Sequence, residues 1–187
     1  ALKYGVTRDY VLGVEAVLPT GEVIRSGGRL VKDVAGYDLR RLLCGSEGTL
    51  AVMTELTLRL MPAPEETGTG MAYFGDLADA ARAVSRVLAS GVLPVTLEFL
   101  DRVCIDAVEG YANIGLDRSA GALLIFGQDG DRASIDRDMR RMADACEAEG
   151  ASHVRIAASE AEATDVLQAR RAVLPALSRL EPLTILE

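Results

Sequence analysis

The sequence predicts an α+β fold in two parts: a β-rich piece over residues 1–62, then a small ferredoxin-like sandwich over residues 63–187. Three observations carry this. The run Met61-Pro62-Ala63-Pro64 places two prolines where neither a helix nor a central strand can continue. Before it, apolar residues recur at strand spacing. After it, short apolar runs alternate with helical patterns, and two βαβ units joined end to end are the sequence form of a ferredoxin-like sandwich.

Taken in order, alternation predicts a strand over 11–17 and its return over 23–25, with Pro19-Thr20-Gly21-Glu22 as the turn of a hairpin. Ser26-Gly27-Gly28 reads as loop, and residues 30–38 as irregular chain. A short apolar helix over 39–44 runs into Gly45-Ser46-Glu47-Gly48-Thr49, and an apolar run over 50–53 leaves it and alternates to Leu60. These strands are too few to close a sheet, so this piece is expected to need partners outside the chain. In the second part, strands are predicted over 70–74, 95–100, 122–126 and 152–156. The helix over 77–89 carries Asp76 as N-cap and stops at Ser90-Gly91. Asp101 caps a helix to about residue 111. The helix over 133–149 has Ile135, Met139, Met142, Ala143 and Cys146 on one face, and a last helix over 161–180 is interrupted at Pro175.

Composition narrows the function classes. A net charge of −8 and an isoelectric point near 4.8 argue against nucleic acid or an anionic membrane as partner, since phosphate binding needs a basic surface. No apolar run approaches the ~20 residues of a membrane span. Cys44, Cys104 and Cys146 are few and far apart, which fits a reducing, cytoplasmic setting rather than disulfides or zinc. The one histidine, His153, cannot build a histidine metal site, so no metal is expected. The N-terminus shows no signal-peptide pattern and opens in what reads as mid-domain sequence.

Lys32-Asp33-Val34-Ala35-Gly36-Tyr37-Asp38-Leu39 followed by Gly45-Ser46-Glu47-Gly48-Thr49-Leu50 resembles the FAD-linked oxidases, the vanillyl-alcohol-oxidase-like flavoproteins. The likeness is to their glycolate oxidase and D-lactate dehydrogenase branch. Tyr4-Gly5-Val6-Thr7, Leu12-Gly13-Val14-Glu15, Thr20-Gly21-Glu22-Val23, Leu97-Glu98-Phe99-Leu100-Asp101 and Leu167-Gln168-Ala169-Arg170-Arg171 fall in the family's order. The resemblance implies that residues 1–62 are the second part of a flavin-binding α+β domain and residues 63–187 a substrate cap, truncated at its C-terminal end. It implies FAD against Gly45, Ser46, Glu47, Gly48, Thr49, Val52 and Thr54, and Arg170 on the α-carboxylate of a 2-hydroxy acid of the glycolate or D-lactate type. It further implies hydride transfer to FAD in the intact enzyme, electron-accepting partner subunits, and membrane association only through them. Edge pairing of the β-rich piece would give a dimer. The family's glycine-rich pyrophosphate loop and histidine-rich C-terminal segment do not occur here. The chain therefore reads as an internal fragment with no catalytic residue of its own. Two departures stand out: Ala51 where the family usually has Gly, and Leu167-Gln168 where it often has an apolar-Trp pair.

Read from the residues alone, blander roles stand beside these. Gly45 and Gly48 can simply supply positive φ, and Glu47 can cap its own loop. Arg170 and Arg171 can lie on a solvated helix face, Asp38 can be a helix N-cap, and Tyr37 a buried tyrosine with a satisfied hydroxyl. His153 reads as structural or exposed on an edge strand. The rival function is a non-enzymatic ferredoxin-like binding or assembly module.

Overall fold

The computed structural model describes residues 2–30 and 32–180. The chain forms two compact units, one over Lys3–Ala63 and one from Pro64 onward.

The first unit is a three-stranded antiparallel sheet in the order β2-β1-β3, with β1 at Val11–Val17, β2 at Val23–Gly27 and β3 at Val52–Leu58. Gly21, at φ 85, closes the β1–β2 turn, where the Leu18 N–H donates to the Glu22 carbonyl at 2.9 Å. Alternation along β1 sends Val14 and Ala16 to one face. There they meet Leu43 of helix α1 (Leu39–Leu43) and Ala51 in a small core. The register between β1 and β3 slips after Glu15, which faces Glu55 while Ala16 faces Met53. Thr54 is the extra residue of this bulge. Most of β3 is exposed, apolar Val52 and Leu58 included.

The second unit runs β4 (Glu66–Phe74), α2 (Leu77–Ala89), β5 (Thr96–Asp101), α3 (Arg102–Ala112), β6 (Ala122–Gly130), α4 (Arg132–Ala148), β7 (His153–Ile156) and α5 (Glu160–Leu177). Its sheet has the order β5-β6-β4-β7 with every neighbouring pair antiparallel, the ferredoxin-like arrangement. Helices α2 and α4 cover one face, where Met139 and Met142 of α4 join Phe74, Leu124 and Phe126 of the sheet in one core. Helices α3 and α5 cover the other, where Val166 of α5 joins Tyr73, Leu100, Leu123 and Ile125 of the sheet. β6 is therefore buried on both faces and reads as a continuous apolar run rather than an alternation. The helices start on side-chain caps: Asp76, Asp101, Asp131 and Ser159 accept N–H groups of Asp79, Cys104, Ser134 and Glu162.

Three expectations are corrected. β4 begins four residues before Gly70 and β6 runs four residues past Phe126, because Gly68, Gly70 and Gly127 are not strand breakers here. They mark close approach: a Cβ on Gly70 would lie 2.5 Å from the Phe126 ring, and one on Gly127 3.0 Å from the Gly68 carbonyl. Helix α5 passes through Pro175 and ends at Leu177, its end tightened where Leu174 O accepts from the Ser178 N–H and hydroxyl. Tyr37 is not buried: it is 95% exposed in the loop after Gly36, which takes a positive φ of 77.

Candidate functional site

The glycine loop grows out of α1. Asp38 caps this helix by accepting the Arg41 N–H at 3.2 Å, and the Arg40 guanidinium grips the same carboxylate at 2.9 Å. Arg40 beside it holds the Asp38 carboxyl below the usual range. Arg40 also donates to the Leu12 carbonyl of β1 at 2.9 Å, so the helix is tied to the sheet. The chain then turns through Gly45, Glu47 and Gly48 at φ 97, 51 and 76. For Glu47 that conformation costs on the order of 1 kcal/mol. The turn is fastened from inside: Ser46 N–H donates to Leu43 O, and the Thr49 N–H and hydroxyl both donate to Ser46 O. Among the described residues, the N–H groups of Glu47 and Gly48 have no acceptor. A Cβ on Gly48 would meet nothing within 4 Å, whereas one on Gly45 would lie 2.9 Å from the Arg8 guanidinium. The outer half of the loop thus presents open amides and no side chain above Gly48.

Beyond the loop, Ala51 is buried and outside the positive-φ region. Its methyl completes the core with Val14, Ala16 and Leu43, so the alanine carries no backbone penalty. Val52 follows at 64% exposure. The Thr54 hydroxyl donates to Glu15 Oε1 at 2.8 Å, leaving the Thr54 backbone rather than its side chain for contact with a ligand. That bond, with Arg25 nearby, keeps the Glu15 carboxyl below its ordinary range.

In the second unit Arg170 and Arg171 are both exposed on α5, and Arg170 reaches the edge strand β5. Its guanidinium is ion-paired with Glu98 of β5 at 2.5 Å, which raises the Arg170 pKa. Glu98 is a partner the sequence reading did not single out. The available signal was strand alternation, which puts Glu98 on the same face as buried Leu100, a position where a carboxylate wants a cation. His153 lies exposed on the edge strand β7, its ring 6.5 Å from that of Tyr73. The structure does not assemble a cluster of three His, Cys, Asp or Glu among the described residues, and no described helix is long and apolar enough to cross a membrane.

Residues 63–187 match the family described as FAD linked oxidases, C-terminal domain. The chain belongs to the FAD-linked oxidases. Glycolate oxidase subunit GlcD of Bacillus subtilis (strain 168) is 50% identical over 186 residues, 100% of this chain and 40% of that protein. D-lactate dehydrogenase of Archaeoglobus fulgidus is 40% identical over 129 residues, 67% of this chain and 29% of that protein. The chain thus spans well under half the length of these relatives. Among solved structures, alkyldihydroxyacetonephosphate synthase shares the fold at a TM-score of 0.68 with 22% identity, over 95% of this chain and 35% of that one. FAD is the cofactor of this FAD-linked oxidase family. The loop over 45–49 suits such a group: its two open amides can meet polar ring-edge atoms, and the exposed Val52 can meet an apolar ring face.

Proposed function

We propose that this chain is the middle of an FAD-dependent oxidoreductase that oxidises a small 2-hydroxy acid, of the glycolate or D-lactate type, to the 2-oxo acid. Residues 1–62 form the second part of its flavin-binding domain and residues 63–187 a substrate cap. The 50% identity to a glycolate oxidase subunit across the whole chain is the observation that carries this reading.

Gly45, Ser46, Glu47, Gly48 and Thr49, with the backbone of Val52 and Thr54, hold the flavin. FAD, when bound, supplies the two-electron acceptor for the substrate's α-carbon. Arg170 holds the substrate carboxylate, for which a planar guanidinium offers paired donors. The name of the GlcD relative marks it as a subunit, and this supports electron-accepting partner subunits for the whole protein. The three free cysteines support a reducing, cytoplasmic compartment. The exposed edges of the first sheet support a dimer.

The test is made in the whole protein. Arg170→Met should raise KM for the hydroxy acid by about tenfold or more, the loss of one charge-assisted pair, with flavin content unchanged. Gly48→Val should lower flavin content. An unchanged KM for Arg170→Met would remove that residue from the site, and a protein that purifies and titrates without flavin would overturn the whole reading.

A further inference from the structure

On the α3/α5 face of the second sheet lies an open cleft of about 380 Å³, whose lining does not include Arg170. Its floor is Met71 and Tyr73 of β4. Its edge is His153 and Arg155 of β7, which stand opposite Tyr73 and Met71 in register. Asp165 of α5 closes another side.

The remaining wall is built to stay in place. It is the turn after α3, where the Glu109 carboxylate accepts the N–H groups of Ile114, Gly115 and Leu116 at 3.2, 3.2 and 2.8 Å. The Asp117 N–H then donates to the Tyr73 hydroxyl at 3.3 Å. With its oxygen accepting that bond, Tyr73, only 5% exposed, keeps its O–H proton without an acceptor among the described residues. The Asp117 carboxylate is already taken by the N–H and hydroxyl of Ser119.

Two charges in this cleft are not taken. Arg155 and Asp165 line the same space, and neither makes an ion pair or side-chain hydrogen bond among the described residues, with each other or with anything else. Opposite charges that share a cleft without pairing leave room for a molecule between them. Such a molecule must offer a carboxylate to Arg155 and a donor, hydroxyl or ammonium, to Asp165. The volume falls in the range of small-molecule sites.

We propose that this cleft binds a small carboxylate bearing a second polar donor, held between Arg155 and Asp165 over the Tyr73 hydroxyl. The inference rests on the second unit alone and not on the redox reading.

The test is a titration of the 187-residue chain, followed by amide chemical shifts of residues 114–117 and 153–155. The probes are glycine, glycolate, acetate and methylammonium. At least one of the two bifunctional probes should bind about tenfold or more tightly than acetate and methylammonium. A preference for glycine that Asp165→Asn abolishes identifies the ammonium form, and a preference for glycolate that survives it the hydroxyl form. Arg155→Met should weaken either by about tenfold or more, while Arg171→Met, on the exposed face of α5, should not. Arg155 is exposed, so its variant should keep the native amide spectrum, which checks the fold directly. Acetate binding as tightly as both bifunctional probes, unchanged binding by Arg155→Met, or no saturable shift by about 100 mM would each overturn the proposal.

Discussion

Gly121→Ala should destabilise the second unit more than Gly68→Ala, although both put a methyl into occupied space. A Cβ on Gly121 would lie 2.0 Å from the Gly75 carbonyl oxygen, 2.6 Å from its carbon and 2.9 Å from Asp76 Cα. All three are backbone atoms, and non-bonded carbons rest about 3.5 Å apart, so two chain segments must part by over ~1 Å. That movement pulls on the Gly121 N–H bond to Phe74 O at 2.9 Å and on Asp76, whose side chain caps α2. Overpacking at ~1–3 kcal/mol, a strained cap at ~1 and a weakened hydrogen bond at ~1 give about 3–5 kcal/mol. At Gly68 the nearest atoms are Met139 Cγ at 2.8 Å and Ile135 Cγ2 at 2.9 Å, packed side-chain atoms of α4 that must shift while the backbone on either side can stay in place. There an overpacking cost of about 1–3 kcal/mol is partly offset by ~0.4–1 from the stiffer unfolded chain, so the net loss should stay below that of Gly121→Ala. Two units need not unfold together, so the readout is urea-dependent hydrogen exchange of Leu123, Leu124 and Ile125, fully buried in β6. With a slope of about 1.5 kcal/mol per molar urea, Gly121→Ala should lower the midpoint by about 2–3 M. A loss under ~1 kcal/mol for Gly121→Ala, or a larger loss for Gly68→Ala, would refute the distinction between backbone and side-chain neighbours.

Other consequences can be checked in the same chain. Met142→Ala removes a fully buried side chain between α4 and the sheet and should cost about 2–5 kcal/mol by the same exchange measurement. Asp76→Ala should cost about 1 kcal/mol and speed exchange in the first turn of α2, since it leaves the Asp79 N–H without its cap. Arg86 and then Arg82 hold the Glu149 carboxyl below its ordinary value of 4.5. A depressed folded pKa contributes stability above that value and loses it as pH falls through the folded pKa, so Glu149→Gln should flatten the acid limb below about pH 4.5 and leave its shape near pH 7 unchanged. Burial pushes the Cys146 thiol up to about 12 and that of Cys104 up to about 11. Under native conditions at pH 8, iodoacetamide should therefore modify partly exposed Cys44 first, as peptide mass spectrometry would show.

Helices were the most legible part of this sequence, and the reason is local. Asp76, Asp101 and the apolar face of 135–146 each declare themselves within a turn or two, and the observed α2 and α4 follow them closely. Strand ends were less legible because Gly68, Gly70 and Gly127 serve neighbours distant in sequence. A glycine that makes room for the Phe126 ring looks, in one dimension, like a glycine that breaks a strand. In the candidate site, the turn through Gly45 and Gly48 was readable from residue type, and the left-handed Glu47 between them was not. Ala51 shows the converse: a departure from a family pattern can be harmless when the backbone angle is ordinary and the methyl has a core to join. The Glu98 partner of Arg170, 72 residues away, could be inferred only by assigning β5 and α5 to one face of the sheet.

The Arg170–Glu98 pair sets how readily this arginine can serve a ligand. Its two side chains are 47% and 42% exposed, so water and salt screen it. Pairs of that kind contribute about 0–1 kcal/mol. A ligand carboxylate taking the place of Glu98 gives up no more than this, a factor of about five in affinity. Glu98, released at the sheet edge, remains in contact with solvent and avoids the several-kcal/mol penalty of a stranded buried charge. Had the pair been fully buried, exchange would have left one carboxylate unpaired in a low-dielectric interior, and Arg170 would be structural. Its half-exposure keeps the guanidinium oriented on α5 while leaving it exchangeable, so Glu98→Gln should tighten carboxylate binding at Arg170 by no more than about fivefold.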